Sequence, residues 1–317
     1  MSLRYGIIGT GAIGGYYGGK LAHNGKDVHF LFHSDYDFVK RNGLQIDSVD
    51  GNFHLSDVNA YGDTIDMPPC DVVFVCLKSI NNVLLKKMLP PILHPQTLVV
   101  LIQNGIGLEA DLQNDFPDLS IAAGLAFICS GKVGKAHIHH QCYGRLTIAP
   151  YSCKNTALID EILSDLNQSG VKAVTAAYGV ARWKKAVWNI PFNGMTVALN
   201  TMTDKLLQHP ATERLIYEMM LEVIRAANKV GVENPISETF ADEMIASTKV
   251  MTPYSPSMKL DFDYHRPLEI YYIYSRPIEE AKKAGYDMTR VSVLEKELRF
   301  IESSYLHLFT SKEKERH

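Results

Sequence analysis

Three polar side chains recur at intervals of four residues in the second half of the chain: Lys185, Asn189 and Asn193. On a helix, this spacing places all three on one face. An ammonium group and two amides on an aromatic-rich helix could donate hydrogen bonds to a polar substrate. The alternative is that Lys184 and Lys185 form a solvated pair and that the two amides lie at the surface.

A glycine-rich segment near the N-terminus has the pattern G-x-G-x-x-G: Gly9-Thr10-Gly11-Ala12-Ile13-Gly14. It follows an apolar run and opens a helical segment, which is the context that a dinucleotide-binding loop requires. In that role Gly9 allows a tight turn, Gly11 lets backbone N–H groups approach a pyrophosphate, and Gly14 lets helix and strand pack closely. The alternative is a glycine-rich turn that serves packing alone.

The residues that end the second predicted strand, Phe32-His33-Ser34-Asp35, bear on the choice of cofactor. NAD sites usually carry Asp or Glu here to hold the ribose hydroxyls. In this chain His33 or Ser34 stands at that position, so a 2′-phosphate meets no carboxylate and NADP is favoured. Asp35 comes slightly later and keeps NAD open.

The first half of the chain contains the elements that must position the glycine loop. Helices are predicted over 11–24 and near 156–168, between apolar runs that predict buried strands at 4–9, 27–32, 71–77, 97–103 and 171–174. Antiparallel hairpins are predicted over 44–60, turning at Asp50-Gly51-Asn52, and over 137–148, turning at Tyr143-Gly144. This alternation predicts an α/β doubly wound sheet of the Rossmann type.

The second half has helical periodicity throughout. Helices are predicted over 180–199, 212–230, 236–248, 268–284 and 290–307. The apolar stripe of the helix over 212–230 could serve either the core or a homodimer. We therefore predict two domains: a dinucleotide-binding Rossmann domain over 1–176 and an all-helical substrate-binding domain over 177–317.

Composition excludes several classes of protein. Of 317 residues, 46% are hydrophobic and 21% charged, which is typical of a globular chain rather than a disordered one. The formal net charge of −3 favours neither nucleic acid nor a membrane surface as partner. We find no targeting segment and no apolar run long enough to span a membrane, so we expect a cytoplasmic protein.

The cysteines and histidines suggest no metal site. Five cysteines lack CxxC spacing and are expected to be free thiols, with Cys129 a buried one. His137 and His139 would share a strand face, but no nearby carboxylate or cysteine in the sequence completes a metal site. A polar hairpin face is the simpler interpretation.

With these motifs in order along the chain, the sequence resembles the ketopantoate reductase family over nearly its whole length. The landmarks are Gly9-Thr10-Gly11-Ala12-Ile13-Gly14, Cys76-Leu77-Lys78, Gln103-Asn104-Gly105-Ile106-Gly107, Lys185…Asn189…Asn193, Glu222-Val223 and Ser257-Met258…Glu269-Ile270. The resemblance implies NADPH-dependent reduction of a small 2-oxo acid, 2-dehydropantoate, to (R)-pantoate on the route to pantothenate and coenzyme A.

On the substrate side, the resemblance implies that Lys185 donates the proton to the ketone oxygen. Asn189 and Asn193 would hold polar groups of the substrate, Ser257 its carboxylate and Glu269 its hydroxyl. These roles agree with the chemistry, since an ammonium within hydrogen-bond reach stabilises and protonates the alkoxide that a ketone becomes on receiving hydride.

On the cofactor side, the resemblance assigns the pyrophosphate to the glycine loop and places Lys78 near the cofactor's phosphates or the substrate carbonyl. Asn104 would lie where cofactor and substrate meet and contact both. The position at which the family often has an Arg for the 2′-phosphate holds His33 in this chain.

Further departures from the family pattern lie in the second half. Leu268-Glu269-Ile270-Tyr271 replaces Thr-Glu-Ile-Asp, Tyr274-Ser275 replaces Asn-Gly, and Pro191 lies between the two amides, where it would kink the helix. Two alternatives therefore stay open: a related NAD(P)-dependent reductase of another 2-oxo or hydroxy acid, and a non-catalytic dinucleotide sensor.

Overall fold

The computed structural model describes residues 2–153 and 155–307. These residues form two compact units. The first comprises the described residues up to Gln103 together with Leu108–Ala181, and the second comprises Asn104–Gly107 together with the described residues from Arg182 onward. The predicted functional domains, 1–176 and 177–317, stay a prediction, and residues 308–317 lie outside the described residues.

Within the described residues, the first unit contains one ten-stranded sheet. Its strands are β1 (Arg4–Ile8), β2 (Asp27–Leu31), β3 (Leu44–Ser48), β4 (Phe53–Leu55), β5 (Asn59–Tyr61), β6 (Val72–Val75), β7 (Leu98–Leu101), β8 (Ser120–Gly134), β9 (His137–Pro150) and β10 (Ala173–Thr175). The order is β4-β3-β9-β8-β7-β6-β1-β2-β5, with β10 beside β9. Neighbours from β2 through β1, β6 and β7 to β8 run parallel, which confirms the predicted α/β fold.

The helices of the first unit follow from the same sequence patterns. They are α1 (Ala12–His23), α2 (Tyr36–Asn42), α3 (Leu85–Met88), α4 (Leu108–Asp115) and α5 (Thr156–Gln168). Helix α1 packs closely on the sheet because it presents glycine: a Cβ on Gly18 would lie 2.6 Å from Phe30 and 2.8 Å from Ile7. Central strands such as β6 and β7 are buried throughout, as their continuous apolar sequences predict.

The hairpin predicted over 44–60 is confirmed in β3 and β4, but the one predicted over 137–148 is wrong. Strand β9 runs straight through this segment and pairs with β8, and the turn lies before it at Lys135-Ala136. At a shift of register between Phe127 and Ile128, Gly144 stays outside the pairing, with a φ of 111°. A Tyr-Gly pair with positive φ suits a bulge as well as a turn, and the long upstream partner strand decides between them.

The same pair of strands corrects the prediction of five free thiols. Cys129 and Cys142 lie directly opposite each other on β8 and β9, with a Cα–Cα distance of 5.1 Å, and form a disulfide. A hairpin that turned at 143–144 would not pair Cys142 with the strand that carries Cys129, so this disulfide was not predicted from the sequence. The free cysteines of the described residues are Cys70, Cys76 and Cys153.

The second unit is helical, as predicted. Its helices are α6 (Tyr178–Ala198, which starts in the first unit), α7 (Thr203–Gln208), α8 (Pro210–Val230), α9 (Thr239–Lys249), α10 (Ser257–Asp263), a π-helical segment (Tyr271–Ser275), α11 (Arg276–Lys283) and α12 (Thr289–Tyr305). The apolar stripe of α8 is buried in this unit, for example at Ile216, Met220 and Val223. Helix α8 ends at Gly231, whose φ of 89° closes it in the left-handed conformation.

Glu222 on α8 explains how α12 is attached. Its carboxylate accepts hydrogen bonds from the backbone N–H groups of Arg290 and Val291 at 3.0 and 3.2 Å and from the Arg290 guanidinium at 2.9 Å. A buried carboxylate at a helix N-terminus satisfies amides that lack a partner within the helix. Glu222 therefore fastens the start of α12 to α8.

The described residues contain neither a candidate membrane span nor a candidate metal-binding cluster. No helix in them combines the length and apolarity needed to cross a bilayer. No group of three or more His, Cys, Asp and Glu side chains among them could hold a metal ion.

Candidate active site

The glycine loop joins β1 to α1 and divides its glycines between two tasks. Gly9 has a φ of 91°, and a Cβ there would lie 2.8 Å from the backbone nitrogen of Leu77. A Cβ on Gly14 would overlap the carbonyl oxygen of Gly9. A Cβ on Gly11 would meet nothing within 4 Å, so packing does not require glycine at this position. Two reasons remain for it: its position directly before α1, where glycine is favoured over alanine, and unhindered approach of a ligand to the backbone.

The start of α1 fits a pyrophosphate. Gly11 is the N-cap of this twelve-residue helix, and its first turn, which includes Ala12 and Ile13, carries no acidic side chain. First-turn amides and the positive end of the helix dipole favour phosphate oxygens. Thr10 fixes the loop against the second strand, since its Oγ1 donates to the Leu31 carbonyl oxygen at 2.9 Å.

The end of β2 differs from an NAD-type site. His33 and Ser34 are exposed, whereas Asp35 is only 4% exposed. The Asp35 carboxylate accepts hydrogen bonds from the Ala136 backbone N–H at 2.7 Å and from the Ser34 hydroxyl at 3.2 Å, and it pairs with the Lys132 ammonium at 2.6 Å. Burial alone would raise the pKa of Asp35, but these donors outweigh it and lower that pKa. Asp35 is thus an ionised carboxylate engaged inside the protein.

Lys78 follows β6 and is half-buried. The segment that carries it is held by two side-chain amides. Gln103 Nε2 donates to the Leu77 carbonyl oxygen at 2.8 Å and to Asn82 Oδ1 at 2.7 Å, while Asn82 Nδ2 donates back to Gln103 Oε1 at 3.1 Å. Sequence reasoning missed this pair: Gln103 entered only as part of a motif, and Asn82 had no signal of its own. The two amides hold the backbone directly before Lys78.

Helix α6 carries the three residues with four-residue spacing, and burial distinguishes them from surface residues. Asn189 and Asn193 are 4% and 2% exposed, and Lys185 is half-buried. The neighbouring Lys184 is exposed, with its Nζ 5.0 Å from the centre of the Phe240 ring. The alternative is therefore wrong in placing the two amides at the surface, whereas the exposed Lys184 is solvated as it proposes.

The side-chain oxygen of Asn193 is a buried hydrogen-bond acceptor. Its Oδ1 is buried and has no hydrogen-bond partner within the described part of the chain. A buried carbonyl oxygen without a donor is costly, so its presence calls for an explanation. This atom can accept a hydrogen bond from a hydroxyl or amide of a bound molecule.

The departure at Tyr274 is explained by the helix α6 that it contacts. The fully buried Tyr274 hydroxyl donates to the Ile190 carbonyl oxygen at 2.9 Å. It lies 2.8 Å from where a Cβ on Gly194 would be. Burial raises the pKa of Tyr274, so the hydroxyl stays protonated and remains a donor. Tyr274 therefore supports the helix that carries the two asparagines, next to the proline inside it.

The loop that carries Asn104 is attached to the π-helical segment. The Ile106 backbone N–H donates to the Tyr272 carbonyl oxygen at 2.9 Å. Gly105 has a φ of 119°, and a Cβ there would lie 2.6 Å from the Tyr272 side chain. Glu269, which is 5% exposed, lies just before the same segment. The π-helical segment thus adjoins both Glu269 and the loop that carries Asn104.

The predicted site residues fall into two sets. The glycine loop, His33 and Lys78 belong to the first unit, and the remaining set belongs to the second: Asn104, Lys185, Asn189, Asn193, Ser257 and Glu269. Ser257 is half-buried and begins α10. The first set offers backbone amides, an imidazole and an ammonium, and the second offers an ammonium, amides, a hydroxyl and a carboxylate suited to a polar organic acid.

Two family models match the chain. The model described as ketopantoate reductase PanE/ApbA matches residues 5–152, and its C-terminal counterpart matches residues 179–302. Together they span both units.

Individual proteins resemble the chain over most of its length. A 2-dehydropantoate 2-reductase of Nostoc sp. is 42% identical over 94% of this chain and 95% of its own. A crystal structure of 2-dehydropantoate 2-reductase from Geobacter metallireducens has a TM-score of 0.91 and 36% identity, over 94% of this chain and 99% of its own. D-mandelate dehydrogenase with NADH and anilino(oxo)acetate shares the fold, at a TM-score of 0.86 and 20% identity over 96% of this chain and 100% of its own.

Proposed function

Because the chain belongs to the ketopantoate reductase family, we propose that it reduces 2-dehydropantoate to (R)-pantoate with a reduced nicotinamide dinucleotide. The observation that carries this proposal is the 42% identity to a 2-dehydropantoate 2-reductase over 94% of the chain. The buried asparagines beside Lys185 on α6 agree with it, since two amides and an ammonium suit a polar organic acid. The product would enter the route to pantothenate and coenzyme A.

For the cofactor we propose NADPH in preference to NADH. The carboxylate that kept NAD open in the sequence, Asp35, is buried and engaged by Lys132 and Ala136. The exposed residues at this strand end, His33 and Ser34, can both donate hydrogen bonds to a phosphate. A related fold binds NADH, so the fold itself permits either cofactor.

For the chemical step we propose that Lys185 stabilises the developing alkoxide and gives it a proton. The bound cofactor supplies the hydride. As hydride adds to the carbonyl carbon, the C=O electron pair moves onto oxygen, and an ammonium in reach neutralises that charge. The lysine then regains its proton from water.

The remaining side chains orient the acid. We propose that Asn189 and Asn193 bind its polar groups, that Ser257 binds the carboxylate, and that Glu269 accepts a hydrogen bond from the hydroxyl. Asn104 would contact both the substrate and the cofactor, and Lys78 would lie near the phosphates or the carbonyl. Orientation by several such contacts lowers the barrier by holding the reacting atoms in place.

A related reductase of another 2-oxo acid is the second candidate. The observation that favours it is the change from Thr-Glu-Ile-Asp to Leu268-Glu269-Ile270-Tyr271, where Tyr271 is 42% exposed. A neighbour of the same fold was solved with anilino(oxo)acetate, an acid that carries an amide carbonyl next to its carboxylate and no hydroxyl. Location in the cytoplasm and formation of a homodimer stay predictions; a ketopantoate reductase from Staphylococcus aureus is described as dimeric.

The decisive test is a steady-state assay of nicotinamide oxidation with a panel of 2-oxo acids and both cofactors. We expect the highest kcat/KM with 2-dehydropantoate and NADPH. A higher kcat/KM with a 2-oxo acid that lacks the hydroxyl would establish the second candidate. Tight binding of the dinucleotide without turnover of any acid would establish the sensor.

A further inference from the structure

The end of β2 lacks the arginine with which the family often reads a 2′-phosphate, and the structure brings another cation to this place. The tip of the β8–β9 hairpin lies against the residues that follow β2. Lys132 on β8 is 97 positions from Asp35 in the sequence, and its Nζ lies 2.6 Å from Asp35 Oδ2. Neither the motif nor the spacing in the sequence predicts this contact.

The contact is rigidly supported. The backbone N–H of Ala136, in the hairpin turn, donates to the same Asp35 carboxylate at 2.7 Å. The carbonyl oxygen of Ala136 in turn accepts from the backbone N–H of Gln45 at 2.9 Å. Asp35 therefore holds both the turn and the Lys132 side chain, and β3 holds the turn from its other side.

The two partners differ in exposure. The side chain of Asp35 is 5% exposed and that of Lys132 is 36% exposed. The carboxylate thus lies beneath the ammonium, which faces solvent on its outer side. An ammonium carries three N–H donors, and a single carboxylate oxygen does not occupy all of them.

Neighbouring groups extend this arrangement toward the glycine loop. The Ser34 hydroxyl donates to Asp35 Oδ1 at 3.2 Å, and Ser34 and His33 are exposed. Thr10 of the glycine loop contacts Leu31, the last residue of β2, through the 2.9 Å bond already described. The adenosine ribose of a dinucleotide binds at the end of this strand, beside that loop.

We propose that Lys132 is a specificity-determining residue that binds the 2′-phosphate of NADPH, and that Asp35 is its positioning residue. This inference rests on the proposed function for the presence of a dinucleotide, but not for the identity of the acid. A hairpin lysine on a buried carboxylate takes the place of the strand-end arginine. Because Asp35 compensates part of the charge, the preference is smaller than a lone cation would give, about tenfold.

The competing interpretation is that the ion pair only fastens the hairpin to the strand end. In that case, loss of Lys132 would weaken NADP⁺ and NAD⁺ binding alike, together with thermal stability. A phosphate-binding role predicts weaker binding of NADP⁺ alone. Binding affinity for the two dinucleotides, rather than turnover, therefore separates the two interpretations.

The experiment uses the full chain and calorimetric titration with NADP⁺, NAD⁺, 2′,5′-ADP and 5′-AMP. Lys132→Gln removes the charge but keeps a donor for Asp35, and Lys132→Arg keeps both. Lys135→Ala, an exposed lysine in the same hairpin turn, is the matched control. We expect Lys132→Gln to weaken NADP⁺ and 2′,5′-ADP about tenfold, with NAD⁺ and 5′-AMP unchanged. Lys132→Arg and the control Lys135→Ala should both retain the preference for NADP⁺ over NAD⁺.

An unchanged ratio of NADP⁺ to NAD⁺ affinity in Lys132→Gln would overturn the inference, whatever happens to stability. A wild-type protein that binds both dinucleotides and reduces 2-dehydropantoate would keep its proposed function in that event. If the wild type binds neither dinucleotide, both proposals are wrong. Preference for NADP⁺ with no turnover of 2-dehydropantoate would contradict the proposed function alone.

Discussion

At the scale of single residues, burial distinguishes the predicted site residues of α6 from their surface neighbours. Asn189 and Asn193 are among the least exposed polar residues, whereas Lys184 on the same helix is exposed. Burial of an amide costs free energy unless hydrogen bonds replace its lost hydration, and Asn193 Oδ1 has no such bond within the described residues. The position of both amides on one face with Lys185 is what makes that lysine the first residue to test.

Lys185→Ala should lower kcat by about 10²- to 10⁴-fold, the range expected for the loss of a general acid. Binding of the dinucleotide should change little, because the glycine loop is formed by other residues. Steady-state kinetics and calorimetric titration measure the two effects. Lys184→Ala is the matched control and should keep near-normal kcat; a normal kcat in Lys185→Ala would contradict the assignment.

Substitutions of Glu269 should discriminate between substrates. A carboxylate that accepts a hydrogen bond from a substrate hydroxyl contributes about 1.5–3 kcal/mol. Glu269→Ala, which removes the acceptor, should therefore lose about 10- to 150-fold in kcat/KM for 2-dehydropantoate. Glu269→Gln keeps an amide oxygen as a neutral acceptor and should lose less. For 2-oxoisovalerate, which has no hydroxyl, the loss should be small. Equal losses on both acids would show that this buried carboxylate supports the fold instead.

At the scale of elements, each unit holds its own set of predicted site residues in place: the first unit through the glycine loop and the segment after β6, the second through the π-helical segment. The reciprocal amides of Gln103 and Asn82 hold the segment with Lys78. Tyr272 and Tyr274 connect the π-helical segment to the Asn104 loop and to α6. These are contacts between elements that are distant in the sequence.

The two tasks of the glycine loop can be separated by substitution. Gly14→Ala should destabilise the protein by about 1–3 kcal/mol, because the methyl group would overlap the Gly9 carbonyl oxygen and lie 2.9 Å from Ile7. Gly11→Ala should destabilise the protein less than Gly14→Ala, since its Cβ meets nothing within 4 Å and only the N-cap preference for glycine over alanine is lost. It should instead weaken dinucleotide binding by about tenfold or more, by obstructing close approach of the pyrophosphate. Thermal melts and titrations of both variants test this; a stable Gly14→Ala or an unimpaired Gly11→Ala would contradict it.

At the scale of the whole molecule, we expect stability to depend on pH through two buried histidines, His29 and His140. His140 is fully buried between Ser48, whose Oγ lies 2.8 Å from its Nδ1, and the Tyr16 ring. Burial lowers the pKa of His140, although Asp50 opposes the effect. Burial also lowers the pKa of His29, where Asp27 opposes it. Both histidines are therefore neutral in the folded protein at a pH where the unfolded chain binds protons.

The contribution of these two histidines to the free energy of unfolding should thus be present above about pH 6.5 and be lost as the pH drops below that value. His140→Asn, which keeps a partner for Ser48, should flatten the dependence between about pH 7.5 and pH 5.5. Urea unfolding at several pH values measures it. His54→Asn, at an exposed histidine, is the control and should retain the wild-type slope. An unchanged slope in His140→Asn would rule out this histidine as a cause.

The sequence by itself determined the features that arise from local patterns. Continuous apolar runs predicted the parallel strands, helical periodicity predicted the second unit, and G-x-G-x-x-G before a helix predicted the loop after β1. The four-residue spacing on α6 predicted the shared face of Lys185, Asn189 and Asn193. Each of these depends on residues close together in the chain, where periodicity and backbone preference act directly.

Tertiary structure alone decided what depends on distant partners. The pairing of β8 with β9 turned Tyr143-Gly144 from a predicted turn into a bulge and joined Cys129 to Cys142. The docking of the same hairpin gave Asp35 its partner Lys132 and removed that carboxylate from the residues available to a ribose. No local pattern encodes such contacts, because they arise from the register and packing of strands that meet only in the folded chain.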